Sequence, residues 1–136
     1  MPPAPVDTIR VVIADDHEGI RRLLAVRIQL DGRLTVVGEA KDGGEAIAVV
    51  SETRPDAIVI DLDMPVATGL EVIPHLRDTL PDLKIVVLSG AFTLDELNLA
   101  LTRGADAFLS KRGELAYVIP TVVDLVRGFA QAERRA

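Results

Sequence analysis

A chain of 136 residues fits one domain large enough to bury a real core. Its 49% hydrophobic content argues against disorder, while one Tyr, three Phe and no Trp make that core aliphatic and remove base-stacking platforms for single-stranded nucleic acid. A net charge of -6 disfavours direct DNA or RNA binding, and the lack of Cys excludes disulfides, thiolate metal sites and thiol catalysis.

Residues 1–8 begin Met1-Pro2-Pro3-Ala4-Pro5 and read as a flexible N-terminal arm without a basic-then-apolar leader. No apolar run approaches the ~20 residues that span a bilayer, so the expectation is a cytoplasmic protein with no membrane partner. Arg10-Val11-Val12-Ile13-Ala14 is the first buried strand, ending at Asp15-Asp16. Helix one follows from about His17 to Leu30, with Ile20, Leu23, Leu24 and Ile28 as its apolar stripe and Arg21, Arg22 and Arg27 on the wet side. Asp31-Gly32 stops it.

Leu34-Thr35-Val36-Val37-Gly38 is strand two. Asp42-Gly43-Gly44-Glu45 then reads as a capping box opening helix two, whose Ala46, Ile47, Val49 and Val50 face the sheet. Arg54-Pro55-Asp56 ends that helix. Strand three, Ala57-Ile58-Val59-Ile60, is a continuous apolar run, the mark of a strand covered on both faces, and it runs straight into Asp61.

Thr68-Gly69-Leu70-Glu71 is a second capping box, and Leu70, Ile73 and Leu76 give helix three its apolar spacing. Pro74 inside that helix must bend it or cost a hydrogen bond. His75 reads as a surface residue of the same helix. Leu83 to Leu88 is strand four, delivering Ser89 and Gly90. Thr93-Leu94-Asp95-Glu96 is a third capping box, Gly104 ends helix four, and Ala107-Phe108-Leu109 is a short fifth strand with Lys111 just beyond. Helix five runs from about Glu114 to Ala132 with Pro120 inside it, where it either kinks the helix or restarts it.

Five alternations of strand and helix imply an α/β fold with a parallel sheet and helices on both faces. In such a sheet, Asp15, Asp16, Asp61, Ser89 and Lys111 all lie just past the carboxyl ends of strands, where ligands bind. Carboxylates brought together without Cys call for a hard divalent cation, Mg2+ or Mn2+. Lys111 adds a positive charge, Ser89 a hydroxyl, and Gly90 and Ala91 backbone N–H groups. A nucleophilic carboxylate, a cation, a lysine and a hydroxyl are sufficient to accept a phosphoryl group, since that chemistry is mostly positioning and charge neutralisation.

These motifs resemble the receiver domain of bacterial response regulators. Ile13-Ala14-Asp15-Asp16-His17 resembles its acidic pair, in the form seen with helix-turn-helix outputs. Asp61-Leu62-Asp63-Met64-Pro65 with Gly69 resembles its phosphoacceptor motif, Leu88-Ser89-Gly90 its hydroxyl motif, and Gly104 to Lys111 the segment carrying its aromatic switch and lysine. The resemblance covers about Ile9 to Gly128, and the unit is placed at residues 9–131 with a loose tail at 132–136.

The resemblance implies a flavodoxin-like (βα)5 fold with strand order 2-1-3-4-5. It implies phosphorylation of Asp61 by a sensor histidine kinase, or by a small acyl phosphate. It implies Mg2+ held by Asp16, Asp61 and the main-chain carbonyl of Asp63, with Asp15 acting through water. It further implies that Lys111 pairs with the acceptor and then the phosphoryl group. Ser89 would grip the phosphate, and Phe108 would turn inward to reshape the helix 4, strand 5 and helix 5 surface. That surface would engage an output protein, a phosphotransfer protein or a second copy of the chain.

Several features depart from the pattern. Arg112 stands where relatives often carry a Pro behind a cis bond, which without Pro costs ~2.5–4 kcal/mol. The Asp63 side chain adds an acid beside the acceptor and is read as a modifier of phosphate lifetime. No output domain follows Ala136, so the chain reads as a stand-alone receiver or as the receiver part of a longer DNA-binding regulator. His17 is read as a first-turn residue at the pocket rim rather than a ligand. The apolar residues of helix five, Val118, Ile119, Val122, Val123, Leu125, Val126 and Phe129, form a stripe broader than a surface helix needs, which is either wide core packing or a pairing surface.

The enzyme alternative is a phosphatase of the haloacid dehalogenase type, whose nucleophile motif Asp61-Leu62-Asp63 would fit. Against it stand Pro65, an acidic pair that precedes the motif, and no room for a cap domain. A flavodoxin-like electron carrier needs a Gly- and hydroxyl-rich phosphate loop where this chain has Asp15-Asp16-His17-Glu18. A receiver that binds partners without phosphorylation is disfavoured because every required residue is present.

Overall fold

Alternation along each central strand decides the architecture. The computed structural model describes residues 8–135, with side chains described as far as Gly128. The elements are β1 (Ile9–Ala14), α1 (Glu18–Asp31), β2 (Leu34–Ala40), α2 (Gly43–Thr53), β3 (Ala57–Ile60), α3 (Gly69–Thr79), β4 (Lys84–Ser89), α4 (Leu94–Arg103), β5 (Ala107–Ser110) and α5 (Val118–Arg135). All strand pairs are parallel, in the order β2-β1-β3-β4-β5, which is the expected flavodoxin-like receiver order.

Odd and even strand positions feed two aliphatic cores. Val12 and Ala14 of β1, Ile58 and Ile60 of β3, and Ile85 and Val87 of β4 pack on α2, α3 and α4 through Ala46, Val50, Val72, Ile73, Leu76 and Ala100. Ile9, Val11 and Ile13, Ala57 and Val59, and Val86 and Leu88 point the other way, onto Leu24 and Ile28 of α1 and Val118, Val122 and Val123 of α5. At ~1.5–3 kcal/mol per buried aliphatic side chain, the two layers supply the main drive to fold.

Local chemistry sets the element ends, with some corrections to the sequence reading. Thr68 and Thr93 cap α3 and α4 in reciprocal boxes with Glu71 and Glu96. Asp42 caps α2 by accepting from the Glu45 N–H at 2.8 Å, but Glu45 reaches one residue farther back, to the Lys41 N–H at 3.4 Å. β2 runs on to Ala40, past the expected Gly38, after a register shift opposite Val11 and Val12. Leu23 is exposed and outside the α1 stripe, while Arg21, expected on the wet side, is only 16% exposed along its side chain.

Helix five does not start at Glu114. A 3-10 turn over Leu115–Tyr117 precedes α5, and Pro120 falls in the first turn, where a missing N–H breaks no helical bond. The helix continues past Ala132 to Arg135. Its described apolar residues are buried or half-buried in the α1/α5 core, which is the wide-packing outcome; the Phe129 side chain and residues 1–7 lie outside the description. Among the described residues every peptide bond is trans, including Lys111–Arg112.

Pro74 has the predicted consequence. It cannot donate to the Leu70 carbonyl one turn earlier. Arg103 of α4 donates to that carbonyl instead, at 3.0 Å.

Candidate functional site

The carboxyl edge of the sheet gathers residues from four strands. Asp15 follows β1 and donates its N–H to the Ala40 carbonyl at 2.9 Å; Asp61 follows β3 and donates to the Ala14 carbonyl at 2.9 Å. Lys111 follows β5 and donates to the Ser89 carbonyl at 2.9 Å. The sheet ladder therefore extends one residue past β1, β3 and β5 and holds the backbone of Asp15, Asp61 and Lys111. Gly69 closes the floor: a Cβ there would lie 2.5 Å from the Asp61 carbonyl oxygen, so only glycine lets α3 begin against the end of β3. The β3–α3 loop also holds Val66 at φ 72°, a left-handed conformation that β-branched residues resist.

Asp15 and Asp61 are each 2% exposed, and Ser89 is fully buried. Lys111 Nζ lies 2.7 Å from Asp15 Oδ2 and 3.3 Å from Asp61 Oδ2. The two acids are not treated alike. Asp15 Oδ1 also accepts from the His17 N–H at 2.9 Å, and His17 Nδ1 lies 3.0 Å from the same oxygen. Asp61 Oδ1 has only the Asp63 N–H at 3.2 Å. Asp61 is thus the looser carboxylate.

Burial pushes the Asp61 carboxyl above its ordinary range, and the Asp15 charge pushes it further; Lys111 and the Asp63 N–H only partly offset this. For Lys111, burial works against the ammonium, but the Asp15 and Asp61 carboxylates outweigh it and raise its pKa. Lys111 therefore stays charged at neutral pH.

A cleft of about 290 Å3 opens above these groups, lined by His17, Ile20, Asp61, Asp63, Gly90 and Lys111. Ligand atoms of Asp15, Asp16, His17 and Asp61 all fall within 4.8 Å of one another. The donor set fits a divalent cation: oxygen ligands on rigid strand ends, with more negative charge than Lys111 alone balances. Asp16 and Asp63 are exposed, with the Asp63 side chain at the cleft wall.

The remaining predicted residues flank this centre. Ser89 Oγ donates to the Ala91 carbonyl at 3.3 Å, and Gly90 lines the cleft while Ala91 is exposed. Phe108 is half-buried against the α2/α3/α4 core and meets Phe92 edge-on, with ring centroids 4.5 Å apart. Phe92 escaped the sequence reading; its signal is an aromatic three residues past Ser89 in a chain with few aromatics. Arg21 escaped too: its guanidinium donates to the Asp15 carbonyl at 2.6 Å and to Glu39 at 3.3 Å, fixing the turn that carries the acids. His17 proves to be the α1 N-cap, and its ring lies against both Asp15 and Asp16. His75 is on the surface as expected.

Known proteins share this sequence pattern and fold. The model of the response regulator receiver domain matches residues 11–122. The transcriptional regulatory protein PrrA of Mycobacterium leprae is 38% identical over 122 residues, covering 90% of this chain and 52% of PrrA. The chain therefore spans about half the length of that relative. The signal receiver domain of the putative response regulator NarL from Mycobacterium tuberculosis superposes with a TM-score of 0.83 at 31% identity, covering 90% of this chain and 98% of that one. A response regulator protein from Burkholderia pseudomallei, solved with a phosphorylated aspartic acid, a calcium ion and citrate, superposes with a TM-score of 0.77 at 26% identity, covering 93% and 72%.

Proposed function

The chain belongs to the response regulator receiver family, and from that membership we propose that it is a phosphoacceptor whose Asp61 takes a phosphoryl group in the presence of Mg2+ or Mn2+. The observation that carries this reading is the unequal treatment of the two buried carboxylates. Asp15 takes the short Lys111 contact and both His17 contacts, while Asp61 keeps only long ones and faces the cleft. A nucleophile must be held without being tied down.

Asp16, Asp61 and the Asp63 carbonyl would hold the cation, with Asp15 acting through water. When bound, the cation neutralises charge on the transferring phosphoryl oxygens. An Asp61 carboxylate oxygen attacks phosphorus of a phosphohistidine on a sensor kinase, or of a small acyl phosphate. The new P–O bond forms as the bond to the donor breaks, and the donor leaves with that electron pair. Lys111 is already placed between Asp15 and Asp61, so it shifts its pairing to the product without travelling far. The Ser89 hydroxyl exchanges the Ala91 carbonyl for a phosphoryl oxygen, and the Gly90 and Ala91 N–H groups add donors. That exchange moves the β4–α4 loop, which carries Phe92, and so moves the ring that Phe108 packs on. The Asp63 carboxylate repels anions at the cleft wall and tunes the lifetime of the phosphoryl group.

The readout is the α4/β5/α5 side, where Leu94, Leu99, Leu101 and Tyr117 are exposed. It serves an output module, a phosphotransfer protein or a second copy of this chain. Relatives named as transcriptional regulators favour a DNA-binding output, carried by a separate module and not by this acidic domain. No described helix is long and apolar enough to cross a membrane, and the setting is cytoplasmic, as for the family. The decisive experiment is incubation with acetyl phosphate and Mg2+ followed by intact-mass measurement. The wild type gains one phosphoryl mass and Asp61→Asn gains none. No gain in the wild type, or a gain that persists in the variant, overturns the proposal.

A further inference from the structure

The ligands assigned above are all oxygen, but a nitrogen stands inside this cluster. His17 Nδ1 is 3.0 Å from Asp15 Oδ1 and 3.1 Å from Asp16 Oδ1. Ligands at ~2.1 Å from an octahedral ion are about 3.0 Å apart when adjacent and about 4.2 Å apart when opposite. The separation from Asp16, a direct ligand in the proposed site, matches the adjacent spacing, while that from Asp15, which acts through water, is a hydrogen-bond distance. The ring is 64% exposed and unpacked, so it turns without disturbing the core, while its backbone is fixed by the N–H bond to Asp15 and by its N-cap position on α1.

We propose that His17 is a nitrogen ligand of the cation site and shifts its preference from Mg2+ toward borderline divalent transition ions. This rests on the reading of Asp16, Asp61 and the Asp63 carbonyl as the cation ligands, with Asp15 acting through water. Neutral imidazole binds through a free lone pair on Nδ1 with its proton on Nε2, an exposed and easily solvated tautomer. Carboxylate and water sites suit Mg2+ and Mn2+, whereas imidazole favours later transition ions in proportion to their place in the Irving–Williams order. One imidazole added to two carboxylates and a carbonyl therefore raises affinity for Co2+, Ni2+ or Zn2+ while leaving Mg2+ nearly indifferent. When no ion is held, the other tautomer, with its proton on Nδ1, donates to the acids and makes the ring a removable cover over their charge.

The test is calorimetric titration of the intact chain with Co2+ and with Mg2+, using wild type, His17→Ala, His17→Asn and Asp61→Asn. Circular dichroism checks folding; Asn is a good N-cap and guards against loss of α1. The expected result is a fall of about tenfold or more in Co2+ affinity in both His17 variants, with Mg2+ affinity changed less than about threefold. The visible absorption of bound Co2+ changes with the loss of its nitrogen ligand. Co2+ affinity that is unchanged, or that falls in step with Mg2+, overturns the role of His17 while leaving the carboxylate site intact. Failure of the wild type to bind Mg2+, or equal binding by Asp61→Asn, overturns the cation site itself and the inference with it.

Discussion

Two charged centres of this domain are solved in opposite ways. At the α3–α4–β5 junction, Arg77 donates to the carbonyls of Pro81 and Leu83 at 2.9 and 2.6 Å, to the Gly104 carbonyl, and to Asp106 at 2.9 Å. Asp106 in turn accepts from the Ile85 N–H at 2.8 Å, so β4 and β5 start together. Every partner is matched. At the carboxyl edge, Asp15, Asp16 and Asp61 share one lysine and one imidazole, and Asp61 is left the least satisfied. The difference separates framework from function: charge is fully paired where the fold must not move and left wanting where a ligand is to arrive.

The largest effect comes from breaking the matched centre. Arg77→Ala strands three carbonyls and Asp106, at a cost of about 2–4 kcal/mol. Arg77→Lys recovers little, because an ammonium cannot reproduce the planar fork that reaches four acceptors. Denaturant melts of the three proteins check this. A loss below about 1 kcal/mol for Arg77→Ala would erase the contrast.

Relief of the unmatched centre acts in the other direction. Asp61→Asn removes a charge that burial and Asp15 both oppose, while its amide oxygen still accepts from Asp63. We expect the cation-free variant to gain on the order of 1 kcal/mol, a rise of a few degrees in Tm. The sign with pH follows from the raised folded pKa of Asp61. Its protonated form is favoured in the fold, so that contribution is fully present below the ordinary carboxylate range and is lost as pH rises through the folded value. The gap between variant and wild type therefore opens on going from acid to neutral pH, and then stays open until Lys111 titrates. Mg2+ narrows it by stabilising the wild type alone. Thermal melts across pH, with and without Mg2+, decide it; a variant less stable than wild type at neutral pH without Mg2+ would contradict the account.

The two centres also differ in how far the sequence reveals them. The acids, the hydroxyl and the lysine were legible because each ends an apolar run, and strand ends are where a parallel sheet gathers its ligands. The caps at Thr68 and Thr93 were legible because a capping box is local. Arg77 was not, since four acceptors from Pro81 to Asp106 become neighbours only after three elements pack. The contact of His17 with both acids forms only where its side chain turns back over the end of β1, and helical periodicity puts Arg21 in solvent because it takes no account of a carbonyl waiting at the preceding turn. Glu45 shows the limit on a smaller scale: the box pattern predicts that it reaches back, but one residue of slack decides where.

The smallest effect tests whether a local defect was converted into a tertiary tie. Pro74 leaves the Leu70 carbonyl without its helical donor, and Arg103 supplies one from α4 across 3.0 Å. Arg103 is exposed, so solvent can replace much of its contribution, and Arg103→Ala should cost only about 0.5–1.5 kcal/mol. The magnitude alone does not separate this hydrogen bond from lost packing, but a double-mutant cycle does. In Pro74→Ala the residue 74 N–H returns and satisfies Leu70 within α3, so truncating Arg103 there should cost markedly less. Equal costs in both backgrounds would mean that the guanidinium stabilises α4 in some other way. Unequal costs would make Arg103 the tie between α3, whose first residue lies against Asp61, and α4, whose exposed apolar side chains lie on the side assigned to the output.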